Sequence, residues 1–158
     1  MLSFLLPVIY VQFSPERLSV RNVKSGESLA EVPEIAISAS KPARILGVGS
    51  SARSQSRSIV VNPFAHPRSL VSDFTVAEQL LKAFFRRLLG RSLFAPSPRV
   101  VMHPLGEPAG GFTQVEIRAF REMAIGAGAS SVIVWEGRPL SDQEILSGQF
   151  PRGGRVLA

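Results

Sequence analysis

Chains of this size usually do chemistry through histidine, cysteine or clustered carboxylates, and this one has few of them. Its 158 residues include two histidines, His66 and His103, and no cysteine. Disulfides, thiolate zinc sites and cysteine nucleophiles are therefore excluded. Neither histidine has a carboxylate cluster beside it, so the spacing offers no metal site, and both are expected as surface or turn residues. Gly47, Val48 and Gly49 begin like a nucleotide-binding loop, but the third glycine is missing and no helix pattern follows to face a phosphate. The net charge of +6 comes from scattered arginines without a run of five. With no basic block and one tyrosine, this reads as a solvated basic surface, which argues against nucleic acid and leaves only weak attraction to anionic lipid headgroups.

The elements that would position such residues are easier to read. Hydrophobic content of 45% with 19% charged residues suits a globular domain, and the length suits one domain over residues 1–150. Arg99 to His103 reads as a short strand. Thr113 and Glu116 form a T-x-x-E capping box, with Phe112 placed to staple onto Ile117. Val115, Ala119, Phe120, Met123 and Ala127 then recur at helical spacing on one expected buried face, and Gly126 and Gly128 end the helix. Ser131 to Trp135 is an apolar strand, which makes a right-handed, parallel βαβ unit.

Upstream, Pro7 to Phe13 reads as a central strand. The apolar run before it is too short to span a bilayer and lacks the features of a signal peptide; a membrane-dipping tip at Met1 to Leu6 is the alternative. A second strand follows over Arg17 to Val23, a turn at Lys24 to Glu27, and a third strand over Glu31 to Ser38. Residues 39–71 read as an irregular insert with short strands at Ile45 to Val48 and Ile59 to Val61. Ser72 to Gly90 is a helix capped by Ser72 or Asp73, with a further Thr75/Glu78 box, an apolar stripe of Val76, Leu80, Phe84 and Leu88, and Arg86, Arg87 and Arg91 at its C-terminal end. Ser141 and Glu144 cap a short final helix, and 151–158 is expected to be a flexible tail.

This order predicts an α/β fold with a mixed five-stranded sheet flanked by helices, matching the ribonuclease-H-like lobe of actin-like ATPases. Particular residues carry a closer likeness. PSPRVVMHPLG and TQVEIRAFREMAIGAGASSVIVWEGRP resemble the MreB family of bacterial actin-like, rod shape-determining proteins, as do LVSDFTVAEQLLKAFFRRL, VPEIAI and ILGVGSSA in the same order upstream. The resemblance covers the first lobe of that family. Its second lobe, with the second phosphate loop and the adenosine pocket, has no counterpart in the sequence.

The resemblance also implies where nucleotide chemistry would sit. The family's first strand ends in a DLGTANT loop, whose aspartate holds hydrated magnesium and whose small residues let backbone N–H groups reach phosphates. Here VQFSPER occupies that register: Val11 stands for the aspartate, Phe13 for the first glycine, Ser14 for a threonine and Glu16 for the asparagine. The family's hydrolytic glutamate falls on Gly137 by direct count, or on Arg138 if the proline is kept fixed. Glu136 substitutes only if the strand slips by one residue. A loop enlarged by Glu107 to Gly111 lies on the same side of the sheet. The expectation is therefore no enzyme, no cofactor and no metal.

The resulting functional expectation is a non-catalytic, single-lobe relative acting through protein contacts in cell-shape or cytoskeletal assembly. It would be cytoplasmic or membrane-associated, and its partner would be a second copy or a full-length bacterial actin. Val115, Glu116 and Arg118 keep the pattern of the family's helix between protofilaments and form the candidate interface. The alternative is one half of a split actin-like ATPase completed by another chain.

Overall fold

The computed structural model describes residues 6–65, 73–90, 96–106, 108 and 110–158. His66, Ser72, Arg91, Glu107 and the membrane-dipping reading of residues 1–5 lie outside these. The chain folds around strand β1 (Val8–Phe13), which pairs antiparallel with β2 (Leu18–Asn22) and parallel with β7 (Arg99–Pro104). Strand β3 (Ser28–Glu31) continues the sheet beyond β2, and β8 (Ser131–Glu136) runs parallel to β7. Four of the five expected strands are therefore in one mixed sheet, with β3 in the place of the third. A sixth, β9 (Arg155–Val156), pairs antiparallel with β8, giving the order β3-β2-β1-β7-β8-β9.

Because side chains alternate along a strand, β1 serves two cores. Ile9, Val11 and Phe13 face helices α1 (Phe74–Leu89) and α2 (Gln114–Gly126). Val8 and Tyr10 face the opposite layer, where Trp135 of β8, Leu140 in the following loop and Ile145 of the short helix α3 (Asp142–Ser147) close the sheet. Helix α1 buries Ala77, Leu80, Leu81, Phe84 and Phe85, each large side chain contributing about 1.5–3 kcal/mol on leaving water. Its cap is Asp73, whose carboxylate accepts from the Val76 N–H at 3.2 Å.

The expected Thr75/Glu78 box does not form, since Thr75 already lies inside the helix. Glu78 instead lies over Gly126 of α2, where a side chain would have to displace its carboxylate. The boxes at Thr113/Glu116 and Ser141/Glu144 are both complete. The ring of Phe112 lies 5.4 Å from that of Phe120.

The single third strand expected over Glu31 to Ser38 is two strands in two sheets. Pro33 has no N–H to offer a ladder, and the Glu34 N–H turns back to Val32 O at 2.9 Å. The chain then enters a second sheet, β5-β4-β6, in which β4 (Ile35–Ser38) lies between β5 (Ile45–Val48) and β6 (Ser58–Val61). A 3₁₀ helix over Gly49–Ser54 follows β5, and its Arg53 forks onto the buried carboxylate of Glu34 at 2.8 and 2.7 Å. That hydrogen-bonded pairing keeps the Glu34 carboxyl below its ordinary range. Glu31 joins the two sheets to α1, accepting from the Ser50 N–H at 3.1 Å and pairing with Arg87. Burial would raise its pKa, but these hydrogen bonds outweigh burial and lower it.

The C-terminal segment is not loose at residues 155–158. Leu157 N–H donates to Val134 O at 2.7 Å and Val134 N–H to Ala158 O at 3.0 Å, because β8 would otherwise present an open edge. Deleting residues 152–158 should cost about 2 kcal/mol through the lost ladder and Leu157 packing, lowering Tm by roughly 4–8 °C. An unchanged melting curve in scanning calorimetry would restore the reading of this segment as a flexible tail.

Candidate functional site

In a parallel sheet, ligands collect at the carboxyl ends of the strands. Here those are the ends of β1, β7 and β8. Phe13 closes β1 and is completely buried, its ring 5.1 Å from Phe64 and 5.2 Å from Phe120. Val11 is equally buried, between Val20 and Met102 in the ladder. Beyond Phe13 the chain makes a tight turn: the Ser14 N–H donates to Arg17 O at 3.0 Å and the Glu16 N–H to Ser14 Oγ at 3.3 Å. Pro15 between them has no N–H, and its carbonyl accepts from Asn62 Nδ2 at 2.8 Å. An anion needs inward-facing N–H groups, and Ser14 to Glu16 have none to spare.

At the end of β8, Gly137 stands with φ 153°. A Cβ built there would lie 2.7 Å from Trp135 Cζ2 and 2.9 Å from the Gly154 Cα, so a glutamate would not fit without moving the C-terminal segment. Glu136 is engaged across β8 and β9 by Arg155 at 2.9 Å. Arg138 forks onto Glu144, which also takes the Ser141 N–H, and the pairing with Arg138 leads in holding the Glu144 carboxyl down at about 2. Between these ends lies a cleft of about 580 Å³, lined among others by His103, Leu105, Glu136, Arg152 and Arg155. Among the described residues, no group of three His, Asp or Glu could hold a metal ion.

His103 is not the surface or turn residue expected from the sequence; it is 2% exposed. Tyr10 Oη accepts the Leu140 N–H at 3.1 Å and lies 2.6 Å from His103 Nδ1, while His103 Nε2 lies 3.0 Å from Gly137 O. The Tyr10 O–H thus donates to Nδ1 and Nε2–H donates to the carbonyl, which requires a neutral imidazole. Burial lowers the pKa of His103, and the Gly137 carbonyl opposes this only partly; burial raises that of Tyr10. A signal for this pair was present: Tyr10 follows Val8, and His103 follows Val101, at the two-residue spacing of one strand face.

The α2 candidates separate in space. Val115, expected on the buried face, is 79% exposed, because five residues at 100° per residue place it about 140° around the helix from Phe120. Arg118 is also exposed and pairs with Glu122 at 2.9 Å. The Glu116 carboxylate is held in the cap, accepting the Thr113 N–H at 2.9 Å. Ile125 lies 44% exposed further along, so Val115, Arg118, Glu122 and Ile125 make an outward stripe at spacings of three and four.

A sequence model of the MreB/Mbl protein matches residues 20–140. The chain belongs to the MreB/Mbl family. It is 44% identical over 68 residues to the cell shape-determining protein MreB of Escherichia coli K12, a stretch covering 42% of this chain and 18% of that protein. MreB of Pasteurella multocida Pm70 is 43% identical over 67 residues, with the same coverage. The matched stretch is thus about a fifth of those relatives' length. Among solved structures, MreB 5 of Spiroplasma citri bound to AMPPNP superposes with a TM-score of 0.64 at 20% identity, over 82% of this chain and 38% of that one. A non-polymerising mutant of MamK bound to AMPPNP gives 0.65 at 14% identity, over 82% and 40%. The fold of this MreB-like chain is accordingly that of an actin-like lobe.

The buried, neutral His103 has a measurable consequence. Its folded pKa lies below the unfolded value of about 6.5, so its contribution is complete above that pH and is lost as pH falls towards the folded pKa. Urea midpoints should decline as pH drops below about 6.5, before carboxylates titrate. His103→Leu should cost about 1–3 kcal/mol and flatten that part of the profile; an identical slope in the variant would show that another group is responsible.

Proposed function

We propose that this member of the MreB/Mbl family is a non-catalytic chain that works through protein–protein contacts in cell-shape or cytoskeletal assembly, in the cytoplasm. The observation that carries the reading is Phe13: a buried ring fills the position where the family's phosphate loop places its first glycine. The absence of spare N–H groups from Ser14 to Glu16, a valine at position 11 and the crowding at Gly137 all point the same way. A nucleotide tetra-anion would meet apolar surface on one side and the Glu16 carboxylate on the other.

The contact surface in this reading is the outward stripe of α2. Val115 and Ile125 offer apolar area, and the Arg118–Glu122 pair offers charge of both signs beside it. No helix among the described residues is long and apolar enough to cross a membrane.

Titration calorimetry with magnesium-ATP should give no binding heat, and micromolar binding would favour one half of a split ATPase instead. In a pull-down, a full-length bacterial actin should be retained by the wild-type chain and lost with Val115→Lys. That change should alter stability by no more than about 0.5 kcal/mol, because the site is exposed. Equal retention by the variant would exclude the α2 stripe as the interface.

A further inference from the structure

Among the described residues, the two sheets end in β3 and β9, and in β5 and β6. Three of these edges are blunted. β3 ends in the ion-paired Glu31, and β9 has two residues. β5 has a register irregularity opposite Ala36 and Ile37 and turns into the 3₁₀ helix at Gly49. By contrast β6, Ser58-Ile59-Val60-Val61, contains no charge, no proline and no irregularity in its pairing with β4. Such an edge is a template for another strand.

Its hydrogen-bonding direction is fixed by neighbouring bonds. Ala39 N–H donates to Arg57 O at 3.1 Å, whereas Ser38 N–H donates to Arg44 O at 2.8 Å and Gly49 N–H to Glu34 O at 2.7 Å. Odd-numbered residues of β4 therefore bond β6, and even-numbered ones bond β5. In the register Ile35 to Val61 and Ile37 to Ile59, the N–H and C=O of Ser58 and Val60 point outward. The same register sets Ile45, Ile37 and Ile59 side by side across the sheet on one face. Ile59 is 60% exposed and Ile45 48%, beside a groove of about 600 Å³ lined by Ile35, Ile37 and Val76.

We propose that β6 pairs antiparallel with β6 of a second copy of this chain, across a twofold axis at Ile59. Ser58 then exchanges both its backbone bonds with Val60 of the second copy, and Val60 with Ser58. Ile59 meets its own copy in a non-hydrogen-bonded pair, with Cβ atoms about 4.5–5.5 Å apart. The two isoleucine rows become one, covering Ile59 from the side on which it is bare. A second copy fits because the strand is self-complementary in this register. Its outward backbone groups pair, its most exposed apolar side chain faces itself, and Arg57 falls opposite Val61 rather than opposite Arg57. The pairing is isologous and closes as a dimer. It uses a different surface from the α2 stripe, so either can fail without the other.

The absence of native cysteine makes single-cysteine variants clean probes. Under mild oxidation Ile59→Cys should cross-link rapidly into a dimer, and Ile45→Cys, two strands from the axis, should not. Val60→Pro removes an outward N–H that has no partner among the described residues. It should weaken association in sedimentation by at least about tenfold while leaving the circular dichroism spectrum unchanged. Val115→Lys should remain dimeric, which separates this contact from the α2 reading. A wild-type chain that sediments as a monomer throughout its soluble range would overturn the proposal, as would Ile45→Cys cross-linking as fast as Ile59→Cys.

Discussion

The rest of the structure depends on β1 being buried on both faces. A strand with neighbours on either side and helices above and below must be apolar at odd and even positions alike, and Val8–Phe13 nearly is. Odd positions set α1 and α2 on one layer, and even positions set α3 and Trp135 on the other. In a nucleotide-binding relative of this architecture, the end of such a strand would have to stop being core and become a loop of accessible N–H groups. Here Phe13 extends the core to the last residue of the strand. The same ring ties Phe64 and Phe120 together, so the carboxyl end of the strand is packed as core.

Polar groups inside the fold are few and matched. Tyr10 and His103 interrupt the second core, and their hydrogen bonds fix the chain from Gly137 to Leu140, leading into α3. Among the described residues Glu34 is the other buried polar residue, and Arg53 satisfies it. No buried side-chain nitrogen or oxygen among the described residues lacks a partner. The more exposed ion pairs, such as Arg118–Glu122, contribute little to stability in water and bear more on how surfaces meet other molecules.

Much of this was legible in the sequence because the signals were local. Capping boxes at Thr113 and Ser141, the apolar period of α1 and the uniformly apolar β1 and β8 each specify an element within a short window. The failures have a different physics. Thr75/Glu78 matches the same box, but Asp73 caps two residues earlier, and Glu78 lies against Gly126 of α2. The split of the third strand at Pro33 and the pairing of β9 with β8 depend on which sheet has room, a nonlocal matter. Periodicity alone puts Val115 on the apolar face, whereas Phe120, Met123 and Ala124 decide the orientation of α2. Of the candidate site, the ring at Phe13 could be read directly. The burial of His103 required knowing that β1 and β7 are neighbours in parallel register.

The seating of Glu78 over Gly126 bears on how the outer surface is presented. The Glu78 carboxylate rests where a side chain at position 126 would otherwise stand, so α1 and α2 approach closely at this point. Gly126 lies only about 20° around the helix from Val115, so this contact borders the exposed stripe. A methyl group added at position 126 would push that flexible carboxylate aside, a local change at the border of the surface that Val115 presents.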